Sequence, residues 1–401
     1  MITLPKTFCI YPWIHLHLNT QGDVFPCCVG WTPEGKTRLG YIKDSSLEDL
    51  FNSDYMKQLR LDMLSGTPRP DACASCYSRE SAGFSSAREG ANIDFAAQTN
   101  QLVAATNADG SVAPIIKSWD IRFSNLCNYK CRSCGSIFST SWGEELKLPI
   151  TKIHAIPENI PDPLMEQYQH VEKIYFAGGE PLIMPEHFDL LNKLIKMGVA
   201  SKITLTYNSN VSIINYKGND ILALWSKFKF VTVGVSIDAV GDRAEYIRKG
   251  TRWETTERNL AKFVKFKEQS NFDFFYSPTV SVFNAYHITD MHKYLIENNL
   301  ASSNTLFLFN VLLHPHYYSC KILPSSIASE IVSKINTHLE WCNSNKVKSK
   351  VIDNFKNLCA YLTSEHTEHI PEFSKITREL DIVRAENFNQ IFPEYKGLLH
   401  E

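Results

Sequence analysis

Hydrophobic and polar positions alternate at the start of the chain. Trp13, His15, His17 and Asn19 interleave with Ile14, Leu16 and Leu18, the period-two pattern of a short strand. Residues 19–23 read as a turn, and Val24 and Phe25 begin a return strand. Further on, Asp44, Ser45 and Ser46 precede Leu47, Leu50 and Phe51 at helical spacing, which predicts a capped helix. A second helix is predicted over 55–64, stopped by Ser65, Gly66, Thr67 and Pro68. Beyond 116 the pattern changes. Strands are predicted at 119–123, 173–176, 203–206, 231–237, 275–282 and 306–312, with helical periodicity between most of them, including 188–197 and 255–268. Such alternation predicts parallel strands covered by helices, and six units of this kind close partway into a barrel. Residues 91–115, with Asn107, Asp109, Gly110 and Ser111, have the composition of a loop. The expected fold is α/β: an N-terminal domain over 1–90, a linker over 91–115, a partial (β/α)6 barrel of TIM-like form over 116–320, and an amphipathic C-terminal helical segment over 321–401.

Composition changes this picture little. Hydrophobic residues make up 44% and charged residues 21% of the 401, enough for a large core. The formal net charge of −2 and the lack of a basic run argue against a nucleic-acid partner. The first residues lack the basic and apolar regions of a secretory signal, and no run of apolar residues is long enough to span a bilayer, so a cytoplasmic protein without membrane contact is expected.

Cysteine usage changes it a great deal. Eight of the eleven cysteines fall within the first 134 residues. Clustered cysteines in a chain without an export signal indicate metal or redox chemistry more than disulfides. Cys127, Cys131 and Cys134 have the spacing Cys-x3-Cys-x2-Cys after a predicted strand. Three thiolates on one loop can hold three irons of a 4Fe–4S cluster and leave the fourth iron open to chelate a cofactor or substrate. A closed zinc site wants four ligands, and no His or Cys follows Cys134 at a finger-like distance. A second set comprises Cys9, Cys27 or Cys28, Cys73 and Cys76. Four thiolates fill every iron of a cluster; the same four, with their Cys-x2-Cys half, also suit a structural zinc ion. Cys320, Cys342 and Cys359 are scattered and read as buried or free thiols.

The three-cysteine loop is followed by a strand leading into Ala177, Gly178, Gly179, Glu180 and Pro181. Together these resemble the defining motifs of the radical S-adenosylmethionine (radical SAM) superfamily. The resemblance implies a catalytic 4Fe–4S cluster on Cys127, Cys131 and Cys134 with SAM at its open iron, and a SAM-binding strand end at Gly178, Gly179, Glu180 and Pro181. It extends to the polar strand end at Asn208, to Ser236 and Asp238 near the SAM ribose and substrate, and to Arg248, whose guanidinium suits the SAM carboxylate. One departure is Ser133, where many members carry an aromatic residue before the third cysteine.

Residues 9–80 resemble the twitch half of the SPASM/twitch extensions, placed before the barrel as in N-twitch members. That implies an auxiliary 4Fe–4S cluster on Cys9, Cys27, Cys73 and Cys76, Cys27 being favoured over Cys28 by its spacing from Gly22. The C-terminal segment is similar to the tail of the same group, a helical lid or brace in which Asp381 and Arg384 are expected to pair at i, i+3.

The implied activity is reductive cleavage of SAM to a 5′-deoxyadenosyl radical, then hydrogen abstraction from a peptide or protein, with an external electron donor such as flavodoxin or ferredoxin. A small-molecule substrate (a sugar or nucleotide derivative) is the alternative. A non-catalytic zinc or iron–sulfur binding module is the alternative from another class. No individual catalytic side chain is readable. His15 and His17 read as surface or core histidines, and Tyr317 and Tyr318 as packing residues. His314 and His316, after the last predicted barrel strand, read the same way as His15 and His17, with substrate contact by one of them as the alternative because that strand end faces the site.

Overall fold

The computed structural model describes residues 3–30, 35–148, 167–362 and 366–399. The chain forms two compact units, one built from residues 1–126, 151–207 and 223–231, the other from 127–150, 208–222 and 232–401.

The first unit is built on a mixed sheet. Its strands are β1 (His15–Leu18), β2 (Asp23–Phe25), β3 (Gly40–Tyr41), β4 (Ser118–Ile121), β5 (Lys173–Phe176) and β6 (Thr204–Ser209), the last running to Tyr207 within this unit. Their order is β6-β5-β4-β1-β2-β3. β1, β4, β5 and β6 are parallel, with Leu16 opposite Trp119, Ile121 opposite Phe176, and Phe176 opposite Tyr207. β1, β2 and β3 form an antiparallel meander. β1 therefore has a partner on each side, and all four of its residues are buried, the mark of a central strand. It begins only at His15, because Tyr11–Ile14 is a helical turn with Pro12 in its first positions, where proline's fixed φ suits a helix.

The helix predicted from its cap covers Leu47–Phe51, with a reciprocal capping box between Ser46 and Asp49. The next covers Asp54–Ser65 and closes on Gly66 at φ +81°. The 91–115 linker is corrected. Helices Ala87–Asp94 and Ala96–Ala104 occupy much of it, the first opened by a capping box between Ser86 and Glu89. The polar composition concealed an alanine-rich segment with good helix propensity, which buries Ala91, Thr99 and Val103.

The second unit contains most of β7 (Phe230–Val235) and, beside it, β8 (Phe272–Tyr276). The strand expected over 275–282 is broken at Pro278, which lacks the N–H a ladder needs; Thr279–Val280 pairs separately, in parallel, with Asn310–Val311. The strand expected over 306–312 is reduced to that pair and a single bridge between Tyr276 and Phe307. Helices Ser325–Ser344, Ser349–Tyr361 and Ile370–Arg384 follow. The last packs Phe373 against Phe283 and Phe388. Among the described residues no helix is long and apolar enough to cross a membrane.

Candidate active site

The three-cysteine loop lies wholly in the second unit. Lys130–Cys131 forms a short antiparallel pair with Arg248–Lys249, so Cys131 sits directly opposite Arg248. Arg248 Nη1 lies 3.8 Å from Cys131 Sγ. Burial pushes the Cys131 thiol up to about 12; Arg248 pulls against that shift, and the neighbouring Cys134 adds to it. The loop is tied at several points. Cys134 N donates to Cys131 O at 3.0 Å, Trp142 Nε1 donates to the same carbonyl at 2.9 Å, and Ser141 Oγ donates to Cys127 O at 2.7 Å. The donors fit a cluster: three thiols on one short loop, beside a fixed cation that favours the thiolate form.

Of the other residues singled out in this unit, Arg248 and, through it, Asp238 adjoin the same loop. Arg248 makes a two-pronged pair with Asp238, Nε to Oδ2 at 2.7 Å and Nη2 to Oδ1 at 3.0 Å. Asp238 Oδ1 also accepts from Thr279 N at 2.8 Å. Burial opposes the Arg248 charge, but Asp238 and the Cys131 thiol hold it firmly protonated. Ser236 N donates to Ser209 O at 2.8 Å, fixing the strand ends together. Asn208 lies over Gly234, where a Cβ would come within 2.5 Å of its Oδ1 and would push that side chain aside. Asn210 Nδ2 reaches Asn128 Oδ1 at 3.1 Å, and Asn128 Nδ2 reaches Ser212 Oγ at 3.0 Å, linking the 208–212 loop to the cysteine loop.

The glycine motif belongs to the first unit. It leaves β5 at Phe176, and both glycines take left-handed backbone, Gly178 at φ +79° and Gly179 at φ +52°. A Cβ on Gly179 would lie 2.3 Å from Leu126 O, and one on Gly178 would lie 3.1 Å from Arg122 Cβ. Glycine is needed twice, for conformation and for close approach. Glu180 N donates to Leu126 O at 2.8 Å, and the Glu180 side chain, 1% exposed, accepts from Leu182 N at 3.1 Å. Pro181 opens the short turn Pro181–Ile183.

The first unit also gathers the second cysteine set. Cys73 and Cys76 lie on helix Pro70–Ser81, and Cys9, Cys73 and Cys76 are buried. Burial raises the Cys9 thiol to about 12 and the Cys73 thiol to about 11. Burial raises Cys27 as well, with added repulsion from Cys9, Cys73 and Cys76. Gly30 passes close to this group, a Cβ there lying 3.5 Å from Cys27 Sγ. Cys28 faces elsewhere. Burial and the Asp120 carboxylate raise its thiol, and Arg122 opposes them. Asp120 lies in β4, 1% exposed, with His17 Nδ1 3.0 Å away and Arg122 Nε at 3.3 Å. Burial works against its charge, but Arg122 and His17 hold the carboxyl well below its usual range. His15 and His17 are thus core histidines, His15 Nδ1 meeting Ser118 Oγ at 3.1 Å.

The expected Asp381–Arg384 pair is corrected. Asp381 Oδ1 accepts from Arg132 at 2.5 Å and from Tyr246 at 2.7 Å, while Arg384 turns to Glu145 at 2.8 Å. Arg132 offers a better partner because its side chain is fully buried and stacks over Tyr246 at 3.8 Å, and a buried guanidinium requires carboxylates. Glu386 supplies a second one at 2.7 Å. Arg132, Asn128 and Glu386 carried no signal in the spacing of the motifs, although Arg132 sits inside the cysteine loop. His314 and His316 come together with their ring centroids 4.2 Å apart and line a cavity of about 370 Å³ with Ser319, Lys321, Tyr361 and His369. Tyr318 is buried against Phe283 and Phe373.

Two family models match the chain: an iron–sulfur cluster-binding domain of the SPASM type over residues 9–77, and the radical SAM superfamily over residues 121–274. The chain therefore belongs to the radical SAM superfamily and carries an N-terminal SPASM/twitch iron–sulfur domain. No curated protein matches it. Among solved structures it is similar to native anSMEcpe with bound AdoMet, at 21% identity over 58% of this chain and 63% of that one, with a TM-score of 0.41. It is also similar to SuiB of Streptococcus suis bound to S-adenosylmethionine, at 13% identity over 85% and 71%, with a TM-score of 0.39. SuiB bound to the precursor peptide SuiA gives 13% identity over 98% and 75%, with a TM-score of 0.34. The chain spans less than two thirds of the length of the anSMEcpe chain it matches.

Proposed function

We propose that this protein is a radical SAM enzyme that cleaves SAM reductively and abstracts hydrogen from a peptide or protein. The observation that carries the reading is the Cys131–Arg248–Asp238 relay beside a three-cysteine loop, within the matched superfamily region. When bound, the cluster and SAM supply a one-electron source and a 5′-deoxyadenosyl radical. Cys127, Cys131 and Cys134 would hold the cluster. Gly178, Gly179, Glu180 and Pro181 would bind SAM, along with Asn208, Ser236, Asp238 and Arg248. Arg248 pulls the neighbouring thiol toward its ligating form and orients Asp238, and the glycine turn lets backbone approach the cofactor closely. The protein's part is binding, orientation and exclusion of water.

Cys9, Cys27, Cys73 and Cys76 would hold an auxiliary 4Fe–4S cluster. The mutual proximity of these four thiols supports Cys27 over Cys28. The reading includes a partial (β/α)6 barrel over 116–320 after a twitch-like domain, and a flavodoxin or ferredoxin as electron donor. The peptide class rests on the resemblance to SPASM/twitch enzymes.

Anaerobic reconstitution with iron counting and a dithionite-driven SAM-cleavage assay tests the reading. About eight irons per chain, with 5′-deoxyadenosine formed and lost on changing Cys127, Cys131 and Cys134 to Ala, is the expected result. Bound zinc without 5′-deoxyadenosine would replace it with a non-catalytic metal-binding module.

A further inference from the structure

Helices Ile288–Glu297 and Ser325–Ser344 pack together in the second unit and meet at three side chains that SAM chemistry leaves unused. His292 Nδ1 lies 2.9 Å from His338 Nε2. Cys342 stands one turn beyond His338 on the same helix, and positions i and i+4 share a face, so both are directed at His292. The ligand atoms of the three all lie within 4.8 Å of one another. His292 is 2% exposed, His338 6% and Cys342 0%. Their surroundings are aromatic: Trp341 stacks on His338 with centroids 5.2 Å apart, Phe355 meets His338 edge-on at 4.9 Å, and Phe307 lies 4.9 Å from His292.

We propose that His292, His338 and Cys342 form a metal site, separate from both cysteine sets, for one soft d10 ion, Cu(I), which three ligands can saturate where a closed zinc site would want a fourth. Two imidazoles and one thiolate match that ion and do not match Mg or Ca, which require oxygen donors. Without an ion the three groups share one N–H···N hydrogen bond, and the thiol only fills space. An ion engages all three lone pairs at once. It replaces the proton between the two ring nitrogens, which moves to another ring nitrogen, and it releases the Cys342 thiol proton to solvent. The ion would join the two helices through their buried faces, and its role is structural, because the site is closed to substrate.

The test is metal analysis and metal-edge X-ray absorption on the intact, cluster-loaded enzyme, supplied with Cu(I) under anaerobic conditions. The expected result is one ion per chain with one sulfur and two nitrogen neighbours. Occupancy should survive Cys73→Ala with Cys76→Ala, and also the triple change of Cys127, Cys131 and Cys134 to Ala. It should fall at least tenfold in Cys342→Ala and in His292→Phe. Failure of Cu(I) to bind, a sulfur-only shell, or a metal that disappears with the cluster cysteines overturns the proposal. Should Cys342→Ala fail to fold, the spectrum of the unaltered enzyme decides the matter alone. None of these readouts depends on SAM cleavage.

Discussion

Arg248 grips Asp238 with two nitrogens, at 2.7 and 3.0 Å, and its third lies 3.8 Å from Cys131 Sγ. One cation thus faces both a carboxylate and the Cys131 sulfur. A lysine has no such fork and cannot serve both. Arg248→Lys is expected to fold and to lose about tenfold or more in 5′-deoxyadenosine formation, the equivalent of one charge-assisted hydrogen bond of roughly 1.5–3 kcal/mol. An unchanged rate would remove Arg248 from the site.

Gly179 has no room for a methyl group, with its φ of +52° and Leu126 O 2.3 Å from a built Cβ. Gly179→Ala should abolish detectable SAM binding by equilibrium dialysis. Gly143, in helix Thr140–Glu145 with nothing within 4 Å of a Cβ, is the control, and Gly143→Ala should bind normally.

Cys27 and Cys28 are adjacent in sequence but face different partners. Cys28→Ala is expected to keep about eight irons per chain after reconstitution, and Cys27→Ala to fall toward about four. The reverse pattern would assign the auxiliary cluster to Cys28.

His187 is fully buried against Tyr207, and burial lowers its pKa to about 3. In the unfolded chain it titrates near 6.5, so between these values the unfolded state binds the extra proton. Its contribution is complete above pH ~6.5 and falls as the pH drops towards the folded value. The His187→Phe variant, which cannot titrate, should lose about 2 kcal/mol less stability than the parent between pH 7 and pH 5. Denaturant melts at the two pH values measure it, and equal losses would contradict the assignment.

Arg132 has a fully buried side chain held by Asp381 and Glu386. Arg132→Ala removes one cation from Asp381 and Glu386, which keep Tyr246 and Lys249 as partners, and should cost about 1.5–3 kcal/mol, visible as a lowered melting temperature.

The chemistry was more legible than the fold. Cysteine spacing and Gly178–Gly179 mark a site because ligand geometry and glycine-only backbone demand those residue types whatever surrounds them. Strand 173–176 was equally readable, since its ends are set by its own sequence. Strand 275–282 was not, because Pro278 interrupts a run that is otherwise strand-like throughout. Helix Ala96–Ala104 was hidden by its weak apolar periodicity, since it buries Thr99 and Val103 alone. The partners of Arg132 lie 249 and 254 residues away, and no local pattern reaches that far.

That separation has a consequence for biosynthesis. While the chain is being made, the cysteine loop emerges long before Asp381 and Glu386, and the Arg132 guanidinium has neither carboxylate to neutralise it. That clasp, a contact of long sequence separation, can close only after residues 381–386 have left the ribosome. A ribosome stalled before residue 381 would display the three cysteines without it.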